Sequence, residues 1–188
     1  QKNRFGPTDE VGCFEMQGEG IVEVADPSAL FLSKAAAASA GSCVTVTIEG
    51  KRPIIVELQA LVVKSSSPQP RRVTNGVDAS RVAMLLAVLE RRAGVRFGDS
   101  DVYVSTVGGF RLTEPAADLA IAMALASAAS DKPLVANTCA FGEISLAGEV
   151  RAVTAASQRQ AEAARLGYSR VVSSETEVLR KALQAAFG

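Results

Sequence analysis

Residues 115–129, PAADLAIAMALASAA, leave a helix no polar side to turn toward water. Alanine and leucine are strong helix formers, and only Asp118 and Ser127 interrupt the apolar run. A helix that is apolar nearly all round is stable only when other elements cover it on every side. The rest of the chain must therefore supply layers around this segment. Pro115 suits the first turn, Thr113 is a plausible cap, and Glu114 and Asp118 favour the positive end of the helix dipole. On that reading the two acids have no chemical task.

The flanking segments alternate between strand and helix patterns. CVTVTIEG from Cys43 sets Val44, Val46 and Ile48 on one face and threonines on the other, a half-buried strand. RPIIVELQALVV is a nearly continuous apolar run, a central strand, which KSSSPQP ends. Asp78 is a candidate N-cap for a helix carrying Val82, Leu85, Leu86 and Leu89 on one face and stopping near Gly94. DVYVSTV is a strand, NTCAFGEISLAGEV a strand pair with glycine turns, and AASQRQAEAARLG an amphipathic helix. YSRVVSS is a short strand, and Ser174 opens a last helix with Glu175 and Glu177 in its first turn. Near the start, VGCFEMQGEGIVEV reads as a hairpin turning at Gly18-Glu19-Gly20. The expected class is α/β, a mixed sheet with helices, in two parts: residues 1–32 as a tail and 33–188 as the main domain.

Composition narrows the chemistry. The chain of 188 residues has no histidine, which removes Ser-His-Asp and Cys-His catalysis and histidine-ligated metals. No GxxxxGK[ST] phosphate loop is present. Cys13, Cys43 and Cys139 are far apart and odd in number, so they make neither a disulfide framework nor a zinc knuckle. That usage suits a reducing cytoplasm, and Cys43 and Cys139 are expected as small buried residues. No apolar run approaches the ~18 residues of a membrane span. Gln1 in place of Met is read as the start of a piece of something longer. The glycines Gly108, Gly109, Gly142 and Gly148 fit turns rather than a nucleotide fingerprint. The charge sum is zero, so any nucleic-acid contact must come from a local patch.

One patch stands out. Between Arg71 and Arg96 lie Arg71, Arg72, Arg81, Arg91, Arg92 and Arg96, against Asp78 and Glu90 alone. Arginine suits bidentate phosphate contact, so this segment is a candidate DNA backbone contact. Lys51, Arg52 and Arg111 are weaker members. The competing reading is a solvated helix face.

Three stretches carry a family resemblance: KNRFG at Lys2–Gly6, EGKRPIIVELQALV from Glu49, and GGFRLTEPAADLAIAMALASA followed by GEISLAGEVRAV. Together and in this order they resemble the C-terminal part of the RadA (Sms) family of bacterial DNA-repair and recombination proteins. The resemblance implies a fold similar to the Lon protease domain (ribosomal S5 domain 2-like) for 33–188, behind a remnant of a RecA-like ATPase core in 1–32. The zinc finger and phosphate loop of the family, with their Zn, ATP and Mg, lie outside this chain, which itself carries no cofactor.

The same resemblance implies that a Lon-type Ser-Lys dyad has been vacated. Pro115 matches the proline of the nucleophile turn, so Ala116 stands where the serine would be. The GEISLAGEV stretch carries the register onward to Arg159, where the lysine base would be. Alanine has no nucleophile and arginine stays protonated, so no peptidase activity is expected. KNRFG is also similar to the Lys-x-Arg element of ring helicases. This implies that Lys2 and Arg4 reach a neighbouring subunit's γ-phosphate, with Asn3, Phe5 and Gly6 shaping the loop. The implied partners are single-stranded or branched DNA, further copies of the chain in a ring (a hexamer is the family expectation) and the recombinase RecA. The implied task is ATP-dependent branch migration or unwinding by the full protein. A purely oligomerising scaffold and a residual peptidase remain as alternatives.

Overall fold

The computed structural model describes residues 13–17, 20–24, 30–33 and 39–188. Strands β1 (Cys13–Gln17) and β2 (Gly20–Val24) pair antiparallel, the hairpin expected from the alternation around Gly18-Glu19. The remaining elements are β3 (Ser42–Glu49), β4 (Arg52–Lys64), β5 (Arg72–Asn75), α1 (Ala79–Ala93), β6 (Ser100–Thr106) and α2 (Asp118–Ser130). They continue with β7 (Thr138–Ala140), β8 (Glu143–Ile144), β9 (Val150–Arg151), α3 (Ala156–Arg165), β10 (Arg170–Val172) and α4 (Leu179–Phe187).

Six strands form one sheet in the order β10-β7-β3-β4-β6-β5. β10, β7 and β3 pair parallel, as do β6 and β5, while β4 runs antiparallel to both of its neighbours. All strands but β4 thus point the same way, and the sheet has a carboxyl end and an amino end. The α/β class expected from the alternating pattern is what the chain adopts. β8 and β9 make a separate short hairpin.

Helices α1, α2 and α4 cover one face of the sheet, with α2 between its neighbours. Every residue of α2 from Asp118 to Ser127 is buried, as its unbroken apolar surface requires. α3 covers part of the opposite face, where Ala163 packs on Val44, Val46, Ile55 and Cys139. The β4–β6–β5 half of that face is open, leaving Leu61, Val63 and Val73 exposed.

Several local expectations are corrected. β3 is buried on both faces, because Thr45 and Thr47 face the α2 layer rather than water. A 3-10 turn at Pro115–Ala117 precedes α2, and the residue at its cap position is Glu114, not Thr113. Asp78 holds the cap position of α1, but its carboxylate accepts from the Ser80 hydroxyl and caps no amide. The last helix starts at Leu179. Ser174–Thr176 is a separate 3-10 turn, and Glu177 takes a left-handed conformation so that its carbonyl can accept from the Val150 amide at 2.8 Å.

Residues 30–33 pack on this body. Phe31 stacks edge-on against Phe110 with ring centroids 4.9 Å apart, and the Ser33 amide donates to Glu57 Oε1 at 2.8 Å. Gly108, at φ 74°, permits the crossing: a Cβ there would lie 2.5 Å from the Leu30 carbonyl oxygen. Among the described residues no helix is long and apolar enough to cross a membrane.

Candidate functional site

The Pro115–Ala117 turn and α3 meet at the carboxyl end of the sheet, where sites in parallel α/β folds open. Ala116 is buried, and its carbonyl accepts from the Gly142 amide at 2.9 Å, just past the end of β7. Arg159 on α3 is only 1% exposed, the largest fully buried side chain among the described residues. All three of its guanidinium nitrogens donate hydrogen bonds. Nε donates to the Thr154 carbonyl at 2.9 Å, Nη1 to the Val46 carbonyl at 2.8 Å, and Nη2 to Glu114 Oε1 at 2.6 Å.

Glu114, two residues before Ala116, is the other half of this lock. Its Oε2 accepts from the Thr47 hydroxyl and from the Ile48 amide at 2.8 Å. Partial burial alone disfavours the charged carboxyl, but the bonds from Arg159, Thr47 and Ile48 outweigh it and hold the pKa below the usual glutamate value. One ion pair therefore joins the strand end, the α2 entry and α3 in a single half-buried knot.

Asp118 makes a second knot. It is 1% exposed and accepts from Arg81 Nε at 2.7 Å, from Arg81 Nη2, and from the Ile144 amide at 3.0 Å. Reading Glu114 and Asp118 as plain helix-dipole acids is thus incomplete: both are structural carboxylates whose partners lie 45 and 37 residues away.

The arginine segment divides in two. β5, α1 and β6 form a parallel crossover, so the start of β5, the end of α1 and the start of β6 share the amino end of the sheet. Arg71, Arg72, Arg91, Arg92 and Arg96 are all exposed there. Arg81, at the start of α1, lies at the other end and is committed to Asp118. Lys51, Arg52 and Arg111 also fall toward the carboxyl end, outside the cluster.

Within the cluster, Arg72 Nη1 donates to the Ser100 carbonyl at 2.6 Å and Arg92 Nε to the Leu146 carbonyl at 3.3 Å. Gly148, at φ 86°, lets the β8–β9 tip lie against the Arg92 stem, 3.1 Å from where its own Cβ would stand. Lys64 ends β4 beside Ser100 and adds a cation at this end. Acids share this end: Glu90 Oε2 accepts from the Phe97 amide at 2.9 Å and Asp101 Oδ1 from the Arg71 amide at 2.7 Å, while Asp99 and Asp131 are exposed beside them.

No group of three or more metal-ligating side chains occurs among the described residues. Cys43 and Cys139 are free and buried, as expected; burial pushes the Cys139 thiol up to about 12 and raises that of Cys43 well above the ordinary cysteine value. Lys2, Asn3, Arg4, Phe5 and Gly6 lie outside the described residues.

Residues 75–177 match the family described as subunit ChlI of Mg-chelatase. The chain belongs to that family. It is also similar to proteins named DNA repair protein RadA. The Bacillus subtilis protein is 48% identical over 91% of this chain and 37% of its own length. The Brucella abortus protein is 53% identical over 89% of this chain and 36% of its own length. The Escherichia coli protein is 46% identical over 96% of this chain and 39% of its own length. The chain thus spans less than two-fifths of these relatives.

Proposed function

We propose that this chain is a Lon-like, non-proteolytic domain from the C-terminal part of a RadA-type DNA-repair protein, and that its exposed arginines grip DNA. The observation that carries the DNA reading is the gathering of Arg71, Arg72, Arg91, Arg92 and Arg96 at one end of the sheet. Cations separated in sequence but adjacent in the fold make a field suited to a phosphate backbone, which fixes position without reading sequence. Arg81 is left out of this set, because Asp118 already neutralises it.

Loss of the dyad is supported by Arg159. A guanidinium with three hydrogen-bonded nitrogens and a carboxylate partner cannot accept a proton, and Ala116 has no hydroxyl to give one. The geometry gives a residual peptidase no support. In this reading the old active-site frame is kept as a buried lock, and the opposite end of the domain does the work.

The full protein would assemble as a ring, a cytoplasmic hexamer acting with RecA. An ATPase core binding ATP and Mg, and a zinc finger binding Zn, would lie outside this chain. Lys2 and Arg4 would reach the neighbouring ATP site, and hydrolysis would drive branch migration or unwinding along the DNA that this domain holds. A fluorescence titration of single-stranded and forked DNA tests the grip. The Arg71/Arg72/Arg91/Arg92→Ala variant should bind at least tenfold more weakly than the wild type; equal affinities reject the DNA assignment.

A further inference from the structure

The amino end of the domain carries more than charge. The ends of α1, α2 and α4 enclose a groove of about 710 Å³ whose walls include Val95, Ala129, Leu183 and Phe187. Arg96 and Lys132 line the same groove, and no carboxylate does. Neither cation has an ion-pair partner among the described residues. The groove is continuous in sequence with the exposed Arg91–Arg92 pair through Gly94 and Val95.

We propose that this groove receives an unpaired base of single-stranded DNA, with Arg96 and Lys132 on the flanking phosphates. The inference rests on the DNA grip proposed above and adds to it the place where a base of that strand sits. In duplex DNA the base faces are stacked away, so an apolar groove offers nothing to it beyond the phosphate contacts. In a single strand each base can leave the stack, lay its face on an aromatic or aliphatic wall, and keep its phosphates on nearby cations. An acidic peptide also matches an apolar floor with cationic walls. DNA fits better because the positive charge does not stop at the groove: it runs on to Arg91, Arg92, Arg71 and Arg72, a longer track than a groove-sized peptide needs.

The test compares a short oligothymidine carrying one fluorescent adenine analogue with its duplex, using this chain. The expected result is tighter binding of the single strand and a change in analogue fluorescence as its base leaves the stack. Phe187→Leu keeps an apolar side chain in the partly buried position and removes the aromatic face. It should weaken single-strand binding ~5-fold or more while leaving duplex binding unchanged, the lower limit expected for one base stacked on an aromatic ring. Arg96→Glu with Lys132→Glu, both exposed, should reduce single-strand binding more than duplex binding without touching the core.

Equal affinities for the two DNAs, with no fluorescence change, would overturn the groove assignment and leave the arginine grip standing. No binding of either DNA would overturn both. Binding of an aspartate- and leucine-containing peptide, released by Phe187→Leu while DNA binding is unaffected, would overturn the base assignment in favour of a peptide.

Discussion

At the scale of single residues, the Glu114–Arg159 pair is the hinge of the account. Arg159 is a full charge held out of water, and it persists because each of its three guanidinium nitrogens finds an acceptor. Removing one partner leaves the other buried without compensation, a cost of ~3–5 kcal/mol for such pairs. Glu114→Ala should therefore lower the unfolding free energy by about 3 kcal/mol in a urea titration. Combining it with Arg159→Met should recover part of the loss, because no charge is then stranded.

The pH dependence follows from the lowered pKa of Glu114. The folded state favours the carboxylate, so this stabilisation is fully present above the ordinary glutamate value and disappears as pH falls through the lowered folded value. Urea midpoints measured down that range should drop more for the wild type than for Glu114→Gln. The same carboxylate limits any attempt to rebuild a protease. With Ala116→Ser and Arg159→Lys, Glu114 would hold the new lysine protonated, and casein digestion should stay at background. Release of peptide by that double variant would contradict the hold assigned to Glu114 while supporting the positions proposed for the dyad.

At the scale of elements, α2 sets the architecture. Ala120, Ala122 and Ala124 are all 0% exposed, and their small side chains let β3, β4, α1 and α4 approach closely. Ala124→Leu should overfill the layer and cost ~1–3 kcal/mol, read as a lower urea midpoint with an unchanged slope. This helix was legible from sequence because burial on all sides leaves a plain compositional mark. So were β3, β4, β6 and α1, whose periodicity runs long enough to count.

β5 was not. Arg72-Val-Thr-Asn is four residues inside an arginine-rich stretch after two prolines, and its strand character comes from pairing with β6. The site acids were misread for a related reason. At a helix entry Glu114 and Asp118 satisfy a sufficient local rule, and nothing nearby announces arginines returning from 45 and 37 residues away. Alternation likewise assigned Thr45 and Thr47 to solvent, whereas a second helical layer covers that face.

At the scale of the whole molecule, the fold separates two ends, to which the proposed function gives different tasks. The carboxyl end holds Ala116 and Arg159, the proposed dyad positions, beside two half-buried ion pairs, Glu114–Arg159 and Asp118–Arg81. The amino end holds the exposed arginines and the groove. Linear sequence blurs this division, because Arg81 sits among the other arginines yet belongs to the opposite end. The salt dependence of DNA binding tests the division most directly. Each phosphate contact to a single strand contributes about 0.7 to the slope of log affinity against log salt. Arg71/Arg72/Arg91/Arg92→Ala should therefore flatten that slope by ~2 or more, while Lys51/Arg52/Arg111→Ala, at the other end, should leave it at the wild-type value. Equal slopes for the two variants, or a larger loss from the carboxyl-end variant, would contradict the account.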